Sequence, residues 1–186
     1  MKSNIKLFLV LFFIVHSIMI YGQKKVNICV DYDYLVGLNE KGDFWNIKSG
    51  LNGFDLNLSG LYNFSNQLSA GVGIGVEKLY DPSYTIFPIF TKVTYSPFKS
   101  FLKPFVFAKI GYGIGTKISN SGLLFNPGFG YKFQLSKCLG LNLAIGYHFQ
   151  SILFDIVTYS EDGTVKLKEQ ASNHRNSLSF GVGLVF

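Results

Sequence analysis

Two stretches of this 186-residue chain have side chains of the right types for chemistry. In His148-Phe149-Gln150-Ser151 a base and a hydroxyl stand close together in sequence. Such a pair catalyses acyl transfer only if the hydroxyl lies within hydrogen-bond reach of the imidazole. In an extended strand alternate residues face opposite sides, so Ser151 shares a face with Phe149 and His148 with Gln150. The pair is therefore split, and no catalytic residue is expected. His174 and Arg175 stand where a polar stretch runs into the last strand, and they read as part of a solvated loop. Cys29 and Cys138, with scattered histidines, supply too few ligands for a metal centre. Two cysteines are also a weak disulfide signal, even in an oxidising compartment. They read as inert thiols, and neither metal nor cofactor is expected.

The remaining chemistry lies in carboxylates and lysines, and the composition says what must hold them. Hydrophobic residues make up 48% of the chain and charged residues 15%, against about 25% charged in an ordinary soluble domain. There are 19 Phe, 11 Tyr and 20 Gly. Beyond the N-terminus no run reaches the roughly 20 apolar residues of a spanning helix. A chain this apolar, without such a helix, must interleave apolar and polar residues. Its net charge of +6 is spread along the chain with no Lys/Arg-rich block, so nucleic acid is not expected as a partner.

The N-terminus reads as an export signal. Lys2 and Lys6 precede an apolar run at residues 7–15, extended by Ile18, Met19 and Ile20, and Tyr21-Gly22-Gln23 supplies a small residue for cleavage. The apolar run is too short to span a bilayer as a helix. Residues 1–22 are expected to be a signal peptide, and residues 23–186 a single β-barrel domain.

The rest of the chain resolves into eight runs of two-residue period. In the second, Phe54, Leu56, Leu58, Gly60, Tyr62 and Phe64 alternate with Asp55, Asn57 and Ser59. In the eighth, Leu178, Phe180, Val182, Leu184 and Phe186 alternate with Ser177, Ser179, Gly181 and Gly183. The others begin near Val26, Leu68, Phe87, Phe105, Phe125 and Leu139. Each run is close to the ~9–11 residues with which a tilted strand crosses a bilayer. One face is Phe, Tyr, Leu, Val and Ile. The other is mostly Gly, Ser, Asn and a few charges.

The large apolar set cannot fit inside a narrow barrel, whereas the glycines can, so the apolar face is predicted to point outward to lipid. In lipid every backbone amide must pair internally, which requires closure into a barrel. Short links at residues 64–68, 97–103 and 135–139 alternate with longer ones near 38–53, 79–85, 115–123 and 155–176. That alternation matches short periplasmic turns and longer external loops, with both termini periplasmic. Within the last link, Ser160-Glu161-Asp162-Gly163 reads as the turn of a protruding hairpin. The predicted fold is all-β, an eight-stranded antiparallel up-and-down transmembrane barrel.

On the inward face Asp31, Asp33, Asp55 and Glu77 come from the first three strands, and Lys92, Lys109 and Lys132 from the next three. An eight-stranded barrel is just wide enough for side chains to fill, and charges buried in it must pair. An acidic wall facing a basic wall predicts a salt-bridge network that plugs the lumen. For Lys109 the sequence leaves two candidate partners, Asp33 and Glu77.

On these residues the chain resembles the small outer-membrane barrels of the OmpA/OmpX type over its whole mature length. The resemblance rests on the eight-run pattern, on Pro104-Phe105-Val106-Phe107-Ala108-Lys109-Ile110-Gly111-Tyr112-Gly113, and on the ending Ser179-Phe180-Gly181-Val182-Gly183-Leu184-Val185-Phe186. It implies location in the Gram-negative outer membrane, among outer-membrane lipids. It also implies a C-terminal signal, Phe180, Val182, Leu184 and Phe186, read by the barrel-assembly machinery. The role it implies is structural or surface-interacting, with a surface partner at the external loops, and no single activity. A small pore is the alternative. The resemblance to lipid A deacylases of the same barrel type is weaker, because their reactive His and Ser face lipid together and His148 here is expected to face inward.

Overall fold

The computed structural model describes residues 25–43, 46–48, 51–81, 83–98, 102–116, 119–120, 122–136, 138–159 and 165–186. Eight long strands form the fold: β1 (Val26–Gly42), β2 (Asn52–Asn63), β3 (Leu68–Leu79), β4 (Tyr84–Tyr95), β5 (Leu102–Gly115), β6 (Gly122–Gln134), β7 (Gly140–Tyr159) and β8 (Val165–Val185). Each pairs antiparallel with the next. β8 pairs with β1 from Cys29↔Val185 to Gly42↔Asn173, which closes the barrel. Two short strands, Asn46–Ile47 and Ser119–Asn120, pair with β1 and β7 outside the main ladder. The expected signal peptide lies outside the described residues.

Closure leaves no free edge, so the two-residue period becomes an inside and an outside. Leu58, Val72, Ile110 and Leu143 all face out, Val72 with 67% of its surface exposed. Their exposure forms a continuous apolar belt. Tyr62, Phe64, Tyr95, Phe98 and Tyr131 stand exposed toward the end that carries the termini, and Tyr34, Tyr80, Tyr112 and Tyr147 toward the other. Aromatic rings in two bands with aliphatics between them are the girdles that seat a barrel at two membrane interfaces. No helix among the described residues is long and apolar enough to cross a membrane.

Inside, small residues make room for large ones. Phe90 lies between Gly73 on β3 and Gly111 on β5 in the register. A Cβ on Gly73 would sit 2.5 Å from the Phe90 ring. Phe107 and Phe105 lie opposite Gly128 and Gly130 in the same way. The inward glycines are therefore the seats of three rings, and they let a narrow barrel pack its own interior.

The loop-bearing end departs from the sequence reading in two ways. β1 continues to Gly42, and β7 and β8 form a ladder that runs out to Tyr159↔Val165 with one register shift between Val165 and Leu167. Much of what reads as long loops is therefore strand. The turn expected at residues 160–163 lies outside the described residues. The inward face is also not uniformly polar. Leu35, Leu79, Tyr84, Ile86, Ile152 and Phe154 form a buried apolar cluster across the lumen. The period-two pattern does not flag them, because in a filled barrel an apolar residue is at home on either face.

Candidate functional site in the barrel lumen

The lumen is layered along its axis. The middle layer follows from the register. Asp33 lies opposite Asp55, and Asp55 opposite Glu77, so three carboxylates stand side by side on β1, β2 and β3. Lys92 and Lys109 are likewise neighbours on β4 and β5. Like charges in a row would repel on a flat sheet. Barrel curvature turns the two rows toward each other instead. Lys92 Nζ reaches Asp31 at 2.6 Å, and Lys109 Nζ reaches Asp33 at 2.7 Å and Asp55 at 3.6 Å. All five groups are buried. Asn57 donates to Asp55 at 2.6 Å, and Lys109 Nζ also stands 5.7 Å from the centre of the Phe90 ring.

Of the two partners left open for Lys109, the structure therefore brings Asp33 to it. Glu77 faces a different group, since its carboxylate is 3.2 Å from Nε2 of buried His148. Lys132 departs from the expected network. It lies beyond the acidic layer, opposite Lys103 in the register and beside Asn142. Among the described residues it has no carboxylate partner. The reason is axial position: at that height β1 presents Cys29 and Asn27, one and two steps below Asp31 toward the terminal end.

A second ionic layer was not anticipated. Arg175, read as a solvated loop residue, is 0% exposed. Its guanidinium is 3.4 Å from Glu40 and donates to the carbonyls of Tyr80 at 2.7 Å and Asn52 at 3.1 Å. Glu40 also accepts from Asn173 at 3.1 Å and from Tyr84 at 3.3 Å. Arg175 shares parity with Ser177 and Ser179, and that signal could have found it had the strand been extended. Glu40 could not be found so. A β-bulge between Gly37 and Asn39 adds one residue to β1, which inverts the alternation. Leu38 faces out as its parity with Tyr34 requires, and beyond the bulge Glu40 is turned in.

The apolar cluster packs around this second ionic group, and its Tyr84 donates to Glu40. Beside the middle layer the remaining space is a cavity of about 20 Å³, lined by Asp31, Asp33, Lys92 and Lys109 among others. That is room for about one water molecule. At the terminal end the lumen widens to about 210 Å³.

The remaining sites are placed as follows. Ser151 lies on the opposite side of β7 from His148, paired with His174 across the strands. No nucleophile–base contact joins Ser151 and His148 among the described residues. Cys29 is buried and Cys138 exposed, both as free thiols. No group of His, Cys, Asp and Glu that could hold a metal occurs among the described residues. Phe180, Val182, Leu184 and Phe186 all face outward on the last strand.

A closed eight-stranded barrel with an apolar belt, two aromatic girdles and a charged, filled interior is the architecture of the small outer-membrane β-barrels, and the chain has that fold. Solved structures agree on the fold. Neisserial surface protein A is similar at 15% identity, covering 85% of this chain and 95% of that one, with a TM-score of 0.55. The outer-membrane protein OprG of Pseudomonas aeruginosa is similar at 12% identity, covering 88% and 97%, with a TM-score of 0.54. The outer-membrane protein AlkL is similar at 16% identity, covering 88% and 90%, with a TM-score of 0.53. No protein-family description matches the chain, and no curated protein sequence does.

Proposed function

We propose that the protein is an integral outer-membrane barrel with a sealed lumen, non-enzymatic, acting as a rigid membrane-held platform for its external hairpin. The observation that carries this reading is the series of barriers along the axis. The middle layer binds Lys92 and Lys109 to carboxylates, and toward the loop-bearing end the apolar cluster and the buried Glu40–Arg175 pair fill the lumen together. An ion crossing this path would have to break buried pairs, which costs on the order of several kcal/mol each, and displace buried apolar side chains. The termini face the periplasm in this reading, because the short connections lie at their end. β7 and β8, at 20 and 21 residues, overshoot the 12 residues of β2. They carry a hairpin beyond the outer membrane surface, where a surface partner could meet it by strand addition. Outward Phe180, Val182, Leu184 and Phe186 serve as the signal for barrel assembly.

The non-enzymatic reading is supported by the separation of His148 and Ser151 onto opposite faces of β7 and by the engagement of His148 with Glu77. The deciding experiment is conductance of the refolded protein in a planar bilayer. A sealed barrel gives no steady channels. Uniform, long-lived channels from the wild-type protein would replace this reading with a small pore.

A further inference from the structure

The cavity of about 210 Å³ at the terminal end takes no part in sealing the barrel, yet its lining is chemically one-sided. Its charged side chains are Lys92, Lys103 and Lys132. Lys92 is neutralised by Asp31. Lys103 and Lys132 are not neutralised. They stand directly opposite each other on β5 and β6, both half-buried, and neither has a carboxylate partner among the described residues. Opposed like charges on a sheet are destabilising, so a filled lumen has no structural use for them. Nor do the turns at this end offer an acidic side chain: the sequence has no Asp or Glu before Asp31, between Asp55 and Glu77, or between Asp81 and Asp155.

A second observation points the same way. Thr94 Oγ1 and Asn142 Oδ1, both from the cavity lining, are buried with no hydrogen-bond partner. A buried polar atom left unpaired is costly. The Thr94 hydroxyl can donate, and the Asn142 amide can present its nitrogen in place of its oxygen by a flip. At the rim, Asn27 and Asn63 hold each other in a reciprocal amide pair, at 3.2 and 3.3 Å, and Ser69 donates to Asn63 at 2.7 Å. The mouth is thus preorganised, and its interior offers two free cations and neutral donors.

We infer that this vestibule is a binding site for a phosphate group, held between Lys103 and Lys132. A phosphate group presents several acceptor oxygens and a full negative charge, with a second in a monoester or in inorganic phosphate, which suits two ammonium groups and adjacent donors. The group could come from a free phosphorylated solute or from a phospholipid headgroup at the inner rim. Which compartment supplies it rests on the orientation proposed above; the binding itself does not.

The test is calorimetric titration of inorganic phosphate into the refolded full-length barrel in a neutral maltoside detergent at constant ionic strength. Saturable binding is expected, with Kd on the order of 1 mM, together with a rise in Tm. Lys103→Gln and Lys132→Gln should each weaken it about tenfold or more, a change of about 1.4 kcal/mol. Because each substitution relieves a repulsion, neither variant should lose stability, so lost binding cannot be mistaken for misfolding. Lys41→Gln, exposed at the opposite end, should leave it unchanged. Competing a soluble short-chain phosphatidylglycerol against phosphate in the same detergent separates the sources: displacement of phosphate assigns the site to a lipid headgroup, and no displacement assigns it to a free solute. Absence of saturable binding, or binding indifferent to both lysines, overturns the inference. Channels in the conductance experiment would sink the sealed-barrel reading alone and leave the phosphate site standing.

Discussion

Replacing Lys109 by methionine tests the sealed lumen most directly. Methionine keeps the length of the side chain and removes the charge. Lys109 is 3% exposed, and its ammonium is the nearest cation to both Asp33, at 2.7 Å, and Asp55, at 3.6 Å. Its removal leaves two buried carboxylates side by side without a counter-charge in contact. Loss of one partner of a buried ion pair costs about 3–5 kcal/mol, and loss of the ring contact with Phe90 adds about 0.5–2 kcal/mol. The substitution should therefore lower stability by about 3 kcal/mol or more. Asp33→Asn in the same chain should restore part of that and not all, because Asp55 remains. The assay is urea unfolding of protein refolded into lipid vesicles, with ΔΔG taken from the midpoints at a common slope. If the lumen were a wet channel, water would solvate the orphaned carboxylates, and the cost would shrink toward the ~0–1 kcal/mol of a surface pair. A cost that small, with altered conductance, would refute the argument.

Arg175→Met should destabilise by about 3 kcal/mol, since it removes the buried counter-charge of Glu40 and frees the carbonyls of Asn52 and Tyr80; a lowered unfolding midpoint in the same assay checks it. Gly73→Val should cost about 1–3 kcal/mol by overpacking, because its side chain must displace the Phe90 ring, and Phe90→Ala in the same chain should recover part of the loss. In a chain whose Trp45 is replaced by Phe, tryptophan at Val72 should be quenched strongly by brominated lipid, and one at inward Ser59 should not; equal quenching would reverse the inside–outside assignment. Deleting Phe186 should lower the amount of barrel in the outer membrane without changing export across the inner membrane, as read by fractionation and immunoblotting; unchanged outer-membrane levels would count against its role in assembly.

Strand number, inside–outside assignment and barrel closure were legible from the alternation of residues alone. Side chains on a strand have a period of two, and lipid permits unpaired backbone nowhere, so alternating runs such as those around Leu58 and Val182 admit one architecture. The charge of the lumen was legible for the same reason: Asp31, Asp33, Asp55, Lys92 and Lys109 sit on the face that cannot meet lipid. The partner of each charge was not legible, because it depends on the stagger with which β1 meets β8, a relation between residues 150 apart that local pattern does not carry. That stagger set Lys109 on Asp33, gave Glu77 to His148, and left Lys132 without a carboxylate partner among the described residues. The bulge in β1 did the rest. One extra residue near Leu38 inverts the parity downstream, so the inward placement of Glu40 exists only once β1 is paired with β8, and the buried contact with Arg175 exists only in the closed barrel.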